Sequence, residues 1–180
     1  MKNLLLTGRP GTGKTTLIKK ALESCSLQAG GFYTQELREH GHRTGFEIIS
    51  LAGQKAVMAH INMKSRYKVG KYGVDKSEIE RIAIKSIFDA LDDDDIIIID
   101  EIGKMELLSD RFKQAVLTAL DSPKHVLGTI MLSQSAFTQT IKKSPHIELL
   151  IVTESNREQI FQQALSIVQQ WEPQKPIAPA

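Results

Sequence analysis

Gly8-Arg9-Pro10-Gly11-Thr12-Gly13-Lys14-Thr15 has the spacing G-x-x-x-x-G-K-[ST], a pattern that holds phosphates. Its glycines let the backbone wrap closely around an anion and aim successive N–H groups inward. A helix that begins just after the loop directs its positive end at the same charge. Lys14 places a point charge on the β- and γ-phosphates of a bound triphosphate. Thr15 offers a hydroxyl to a Mg²⁺ ion that clamps those phosphates, and Thr16 reaches the α-phosphate. A random chain of this length matches the pattern less than about once in a hundred, so chance is set aside.

A second chemical signal lies in IIIIDE at 96–101. Four consecutive isoleucines read as a strand buried on both faces. Asp100, at the strand end, is placed to bind Mg²⁺, usually through water. Glu101 follows immediately. A carboxylate there accepts a hydrogen bond from a water aligned behind the γ-phosphate, so water is the expected attacking group.

These residues need elements to position them. Residues 3–7 read as a short buried strand running into the loop. Leu17, Ile18, Ala21, Leu22 and Cys25 recur at helical spacing, which predicts a helix near 14–25. Stretches 30–38, 43–51 and 55–61 read as a meander or hairpin set. Residues 62–75 are polar and glycine-containing and read as a long loop. Ile79, Ile82, Ala83, Ile87 and Leu91 form one apolar helical stripe. The acidic run 92–95 reads as a solvated turn that stops this helix. Ser109 is placed to cap a helix over 110–121. Strands at 125–132 and 147–152 alternate with helices near 135–143 and 156–171. This alternation predicts an α/β fold: three layers, α/β/α, with a mostly parallel central sheet and an antiparallel hairpin insertion. The expected organisation is one domain over 1–171 and a Pro-rich, flexible tail at 172–180.

Composition agrees with a soluble globular domain: 41% hydrophobic and 24% charged residues among 180. No apolar run reaches the roughly 18 residues of a membrane span. The start MKNLLLTG is too short for a signal peptide. Cys25 is the single cysteine, so no internal disulfide forms, and a cytoplasmic location is expected. The net charge of +2 is too balanced to imply a nucleic-acid surface.

GRPGTGKTT, GGFYTQELR, RTGFEI, VGKYGV, DEIGKMEL and TESNRE occur here in the order seen in the small P-loop nucleoside-triphosphatase family. That family is described from thermophiles and includes the human cancer-related nucleoside triphosphatase. The resemblance runs from residue 3 to about 170. It implies the P-loop NTPase fold and Mg²⁺-dependent hydrolysis of nucleoside 5′-triphosphates to diphosphate and phosphate. It also implies slow turnover and loose base preference. Catalytic roles then fall to Glu101, Lys14 and Lys104. Nucleotide binding falls to Gly8 through Thr16 (Arg9, Pro10, Gly11, Thr12, Gly13, Lys14 and Thr15 between them), with Asp100, Glu101, Asn156 and Arg157. Thr15 and Asp100 would hold the metal. No membrane and no obligate protein partner is implied. Where the family often carries Pro and Arg after the strand at 125–132, this chain reads MLSQS, which leaves the γ-phosphate sensor unassigned, with Gln134 as a candidate.

Other readings stand beside these. Lys104 reaches the transferring phosphate or holds Glu101, or is a surface lysine. Glu106 is a salt-bridge partner. VGKYGV is a lid over the phosphates, or a structural turn packed under Tyr72. Asn156 and Arg157 follow the last strand, where the base commonly sits. Arg157 is able to lie flat on any base, while Asn156 also suits a helix cap. Arg38 and Arg43 are the positive candidates outside the core motifs. His40 and His42 are too few ligands for a metal. The competing functions are a small-molecule or nucleoside kinase, with 30–75 as an acceptor pocket, and a partner-activated ATP switch. The kinase reading lacks arginines in the lid region 139–146, which offers only Lys142 and Lys143.

Overall fold

The computed structural model describes residues 3–172. Its centre is five parallel strands: β1 (Asn3–Gly8), β2 (Ala29–Glu39), β7 (Ile96–Ile102), β8 (His125–Ile130) and β9 (Ile147–Val152). Four more strands extend the same sheet in antiparallel fashion beyond β2: β3 (His42–Ser50), β4 (Lys55–His60), β5 (Lys68–Val69) and β6 (Tyr72–Val74). The full order is β5-β6-β4-β3-β2-β7-β8-β1-β9. The strand that feeds the phosphate loop, β1, is therefore separated from the acidic strand β7 by β8.

Strand periodicity explains how the isoleucine run serves two cores. Side chains alternate faces along a strand. Ile97 and Ile99 join the core beneath α3 (Lys85–Asp93), α4 (Asp110–Leu120) and α5 (Ala136–Lys143). Ile96 and Ile98 join the opposite core, beneath α1 (Lys14–Glu23) and α6 (Arg157–Gln169). All four are at most 1% exposed. A continuous β-branched run is what such a two-sided strand requires.

The apolar stripe at 79–91 is carried on one helical path. α2 (Lys76–Ile79) is capped by Asp75, which accepts from the amides of Ser77 and Glu78. It passes through a π-helical turn, Glu80–Ile84, into α3. Ser109 caps α4 by accepting from the amide of Phe112 at 3.1 Å.

Several expectations need correction. The segment 62–75 is not a free loop: β5 and β6 form a hairpin turned at Gly70-Lys71, with Val69 paired to Tyr72. Gly70 supplies the positive φ of 58° that this two-residue turn needs. The ring of Tyr72 packs edge-on against Phe46 at 5.2 Å. VGKYGV thus forms a turn packed through Tyr72, and its half-buried Val69 also lines the cavity of the candidate site. α1 ends at Glu23, two residues before Cys25. α3 runs two residues into the acidic stretch, and Asp94 is its cap. The carboxylate of Asp95 accepts from the Gln28 amide at 2.9 Å, so part of that stretch ties the chain to the start of β2. Apart from Glu172, the Pro-rich tail lies outside the described residues. No described helix is long and apolar enough to cross a membrane.

Candidate active site

The carboxyl ends of the parallel strands share one edge of the sheet, which is where α/β folds bind ligands. The phosphate loop follows β1, Asp100 and Glu101 close β7, Met131–Ser133 follow β8, and Asn156-Arg157 open α6. Strand order, more than sequence distance, assembles the site.

Gly13 ends the loop with φ 89°, a left-handed conformation that glycine adopts without steric cost. Lys14 then starts α1. Its ammonium donates to the carbonyls of Gly8 at 3.2 Å and Arg9 at 3.1 Å. Thr12 is buried and its hydroxyl donates to the Arg9 carbonyl at 3.0 Å, which fixes the loop's curvature. Arg9, Pro10, Gly11 and Thr16 are exposed. Arg157 lies over the end of the loop. A Cβ on Gly13 would stand 3.2 Å from Arg157 Cδ and 3.6 Å from its Nη1. The arginine therefore reaches the same helix N-terminus that the loop offers to an anion.

Asp100 is 2% exposed. Its Oδ1 accepts from the Thr129 hydroxyl at 2.5 Å, across the β7–β8 interface. Its Oδ2 is buried without a hydrogen-bond partner. Burial pushes the Asp100 pKa up, while the hydroxyls of Thr129 and Thr15 and the charges of Lys14 and Lys19 pull it down. A buried carboxylate oxygen with free acceptor capacity, close to Thr15 and Lys14, fits a hard divalent cation that takes oxygen ligands.

The pairing of β7 with β8 is irregular between Ile99 and Ile102, a bulge at Asp100-Glu101 whose joining peptide is cis. Bulges re-aim side chains beside functional sites. Here Asp100 stays buried while Glu101 joins the wall of a cavity of about 610 Å³ that it shares with Gly8, Pro10, Lys14 and Lys104. Burial raises the Glu101 pKa; Lys14 opposes this and Asp100 adds to it. The far wall is apolar, built by Phe46, Met58 and Val69 from the antiparallel extension. The extension at 30–75 thus closes one side of the phosphate site.

The structure separates the remaining candidates. Glu106 makes no ion pair among the described residues. It is 5% exposed and lines the same cavity, which corrects its reading as a salt-bridge partner. Lys104 is exposed at the cavity rim. Asn156 occupies the N-cap position of α6 without a capping side-chain bond. Its side chain accepts from the Thr153 amide at 2.7 Å and donates to the Ile151 carbonyl at 2.9 Å, pinning the β9–α6 turn. Arg38 and Arg43 each pair with Glu36 at 2.6 Å, so their charge is partly spent on the hairpin. Gln134 accepts from Gln139 at 2.7 Å and sits in a neighbouring hollow with Phe137. Lys142 donates to the carbonyls of Met131 at 2.6 Å and Leu132 at 3.2 Å, holding the segment after β8 in place. Sequence reasoning missed Thr129, since nothing along the chain says that β8 lies beside β7. It also missed the burial of Glu106.

Comparison with known proteins identifies the family to which this fold belongs. The NTPase family model matches residues 3–165. The nucleoside-triphosphatase THEP1 of Thermotoga sp. (strain RQ2) is 46% identical over 165 residues, covering 92% of this chain and 94% of that protein. The crystal structure of THEP1 from Aquifex aeolicus superposes with a TM-score of 0.82 at 37% identity, covering 94% of this chain and 99% of that one. The solution structure of a human cancer-related nucleoside triphosphatase gives 0.79 at 33%, covering 96% and 100%. With the family model spanning the chain from β1 into α6 and the P-loop fold shared with solved relatives, this chain belongs to the NTPase family of small nucleoside triphosphatases.

Proposed function

We propose that this protein hydrolyses nucleoside 5′-triphosphates to the diphosphate and phosphate, with Mg²⁺ and with broad base preference. The observation that carries the reading is the bulge at Asp100-Glu101. It buries one acid beside Thr15 and turns the next into the cavity that holds Lys14.

In this reading the loop amides and Lys14 bind the β- and γ-phosphates and balance the charge that develops in transfer. Thr15 and Asp100 would hold Mg²⁺, which supplies further positive charge to the phosphates when bound. Glu101 accepts a proton from a water molecule and orients it toward the γ-phosphorus. The apolar wall of Phe46, Met58 and Val69 limits bulk water around that point. Lys104, at the cavity rim, would reach the phosphoryl group being transferred. In this reading the guanidinium of Arg157 lies flat on the base without reading a base edge, which would tolerate any base. The tied-down Lys142 weighs against a mobile phosphate-gripping lid and hence against the kinase alternative.

The test is phosphate release from ATP, GTP, CTP and UTP across a Mg²⁺ titration, for the parent and Glu101→Gln. The expected result is release from all four, with a fall of roughly 10²-fold in the variant and retained triphosphate binding. Parent-rate hydrolysis by Glu101→Gln would remove the water-activation role.

A further inference from the structure

Glu106 is a buried acid to which the reading above gives no task. It opens a short 3₁₀ turn, Glu106–Leu108, just past β7. Gly103 separates it from Glu101. A Cβ on Gly103 would lie 2.7 Å from Glu106 Oε2 and 3.4 Å from Glu101 Oε2. Gly103 does not have the left-handed φ that favours glycine. What the position demands is room: two carboxyl groups converge on the space that a side chain would fill. Both line the cavity, where the other charged side chains are Lys14 and Lys104.

We propose that Glu106 is a positioning residue whose carboxyl, converging with that of Glu101 over Gly103, donates a hydrogen bond that holds Glu101 toward the attacking water. The inference rests on the role given to Glu101. Two ionised carboxylates this close would repel each other and the triphosphate. The surroundings keep the proton on Glu106: burial, then the charges of Glu101 and Asp100, push its pKa up to about 8. The amides of Glu106 itself and Gly103 oppose the shift. A neutral carboxylic acid is a hydrogen-bond donor, and an ionised one is an acceptor only.

The experiment is steady-state hydrolysis by Glu106→Gln, Glu106→Leu, Glu101→Gln and the Glu101→Gln/Glu106→Leu double variant. Triphosphate affinity and a thermal melt are measured for each. Gln keeps a neutral donor, so kcat should stay within about threefold of the parent. Leu removes the donor and should lower kcat about tenfold with KM little changed. In the Glu101→Gln background, adding Leu should cost less than about twofold, because the group it positions has already been altered. Parent-like kcat in Glu106→Leu overturns the inference, and so does a Gln variant as slow as Leu. An undiminished tenfold loss in the double variant shows that Glu106 acts independently of Glu101, and overturns it too. Parent-rate hydrolysis by Glu101→Gln overturns both this inference and the reading beneath it; slow Glu101→Gln with normal Glu106→Leu overturns this inference alone. Should Leu fail to fold, pH profiles decide: the parent should lose kcat above about pH 8 and Glu106→Gln should not. Identical profiles overturn the inference.

Discussion

Thr129 donates its hydroxyl to Oδ1 of Asp100 at 2.5 Å, and both side chains are buried at the junction of β7 and β8. The bond fixes which carboxylate oxygen is left over. Oδ2 is the one without a partner, and it is the oxygen available to a cation. The strand inserted between β1 and β7 thus contributes a hydroxyl that orients the proposed metal ligand.

Replacing Thr129 by Val keeps the shape and removes the donor. A buried acceptor left unsatisfied costs about 1–3 kcal/mol, and Tm should fall by roughly 2–4 °C for each kcal/mol lost. The Mg²⁺ concentration for half-maximal hydrolysis should rise several-fold, since Asp100 loses both its orientation and a bond that favours its charged form. A melt and a Mg²⁺ titration check the two effects. An unchanged Mg²⁺ requirement would confine Thr129 to packing.

Lys14→Ala should abolish turnover and weaken triphosphate binding, unlike Glu101→Gln, which should lose rate and keep binding. The difference follows from position. Lys14 starts the helix that follows the glycine loop, whereas Glu101 stands in the cavity wall at the end of β7; in the proposed reading the first holds the phosphates and the second holds the water. Nucleotide titration beside single-turnover hydrolysis separates the two. Near-normal hydrolysis by Lys14→Ala would take the loop out of the mechanism.

Arg157→Ala should raise KM for ATP, GTP, CTP and UTP by a similar factor. The side chain lies along Gly13 at the start of α1, and in the proposed reading it makes no contact that depends on which base is bound. Asn156→Ala should act differently, through stability, because both ends of its amide bond the β9–α6 turn. A loss confined to one base in Arg157→Ala would show an edge-reading contact.

Glu106 makes stability depend on pH with a definite sign. Its folded pKa of about 8 lies above the ordinary 4.5, so the folded state binds more protons than the unfolded state between those values. Stability from this group is full below about pH 4.5 and is lost as pH rises toward about 8. Glu106→Gln cannot ionise. Its Tm relative to the parent should climb across that window, by at most about 1.4 kcal/mol of stability per pH unit, and level off above it. Melts of both proteins from pH 5 to 9 check this, and a constant difference would mean that Glu106 ionises normally.

Local features of this protein were legible along the chain, because their physics acts over a few residues. The phosphate loop needs its glycines, Lys14 and Thr15 at fixed spacing between a strand and a helix, and all lie within eight positions. The isoleucine run announced a strand buried on both faces, since no half-exposed strand would carry four in succession. Ser109 and the stripe at 79–91 likewise set a cap and a helical face by short-range spacing. Tertiary structure decided what depends on which strands become neighbours. Inserting β8 beside β7 brought Thr129 to Asp100 from 29 residues away. Pairing Val69 with Tyr72 folded an apparent loop into a hairpin and set Val69 in a cavity wall. The bulge at Asp100-Glu101 divided two adjacent acids between core and cavity. The turn after β7 folded Glu106 back against that cavity, where burial changes its charge. A carboxylate carries no mark in the sequence of whether water will reach it; desolvation is settled only when distant strands and turns close around it.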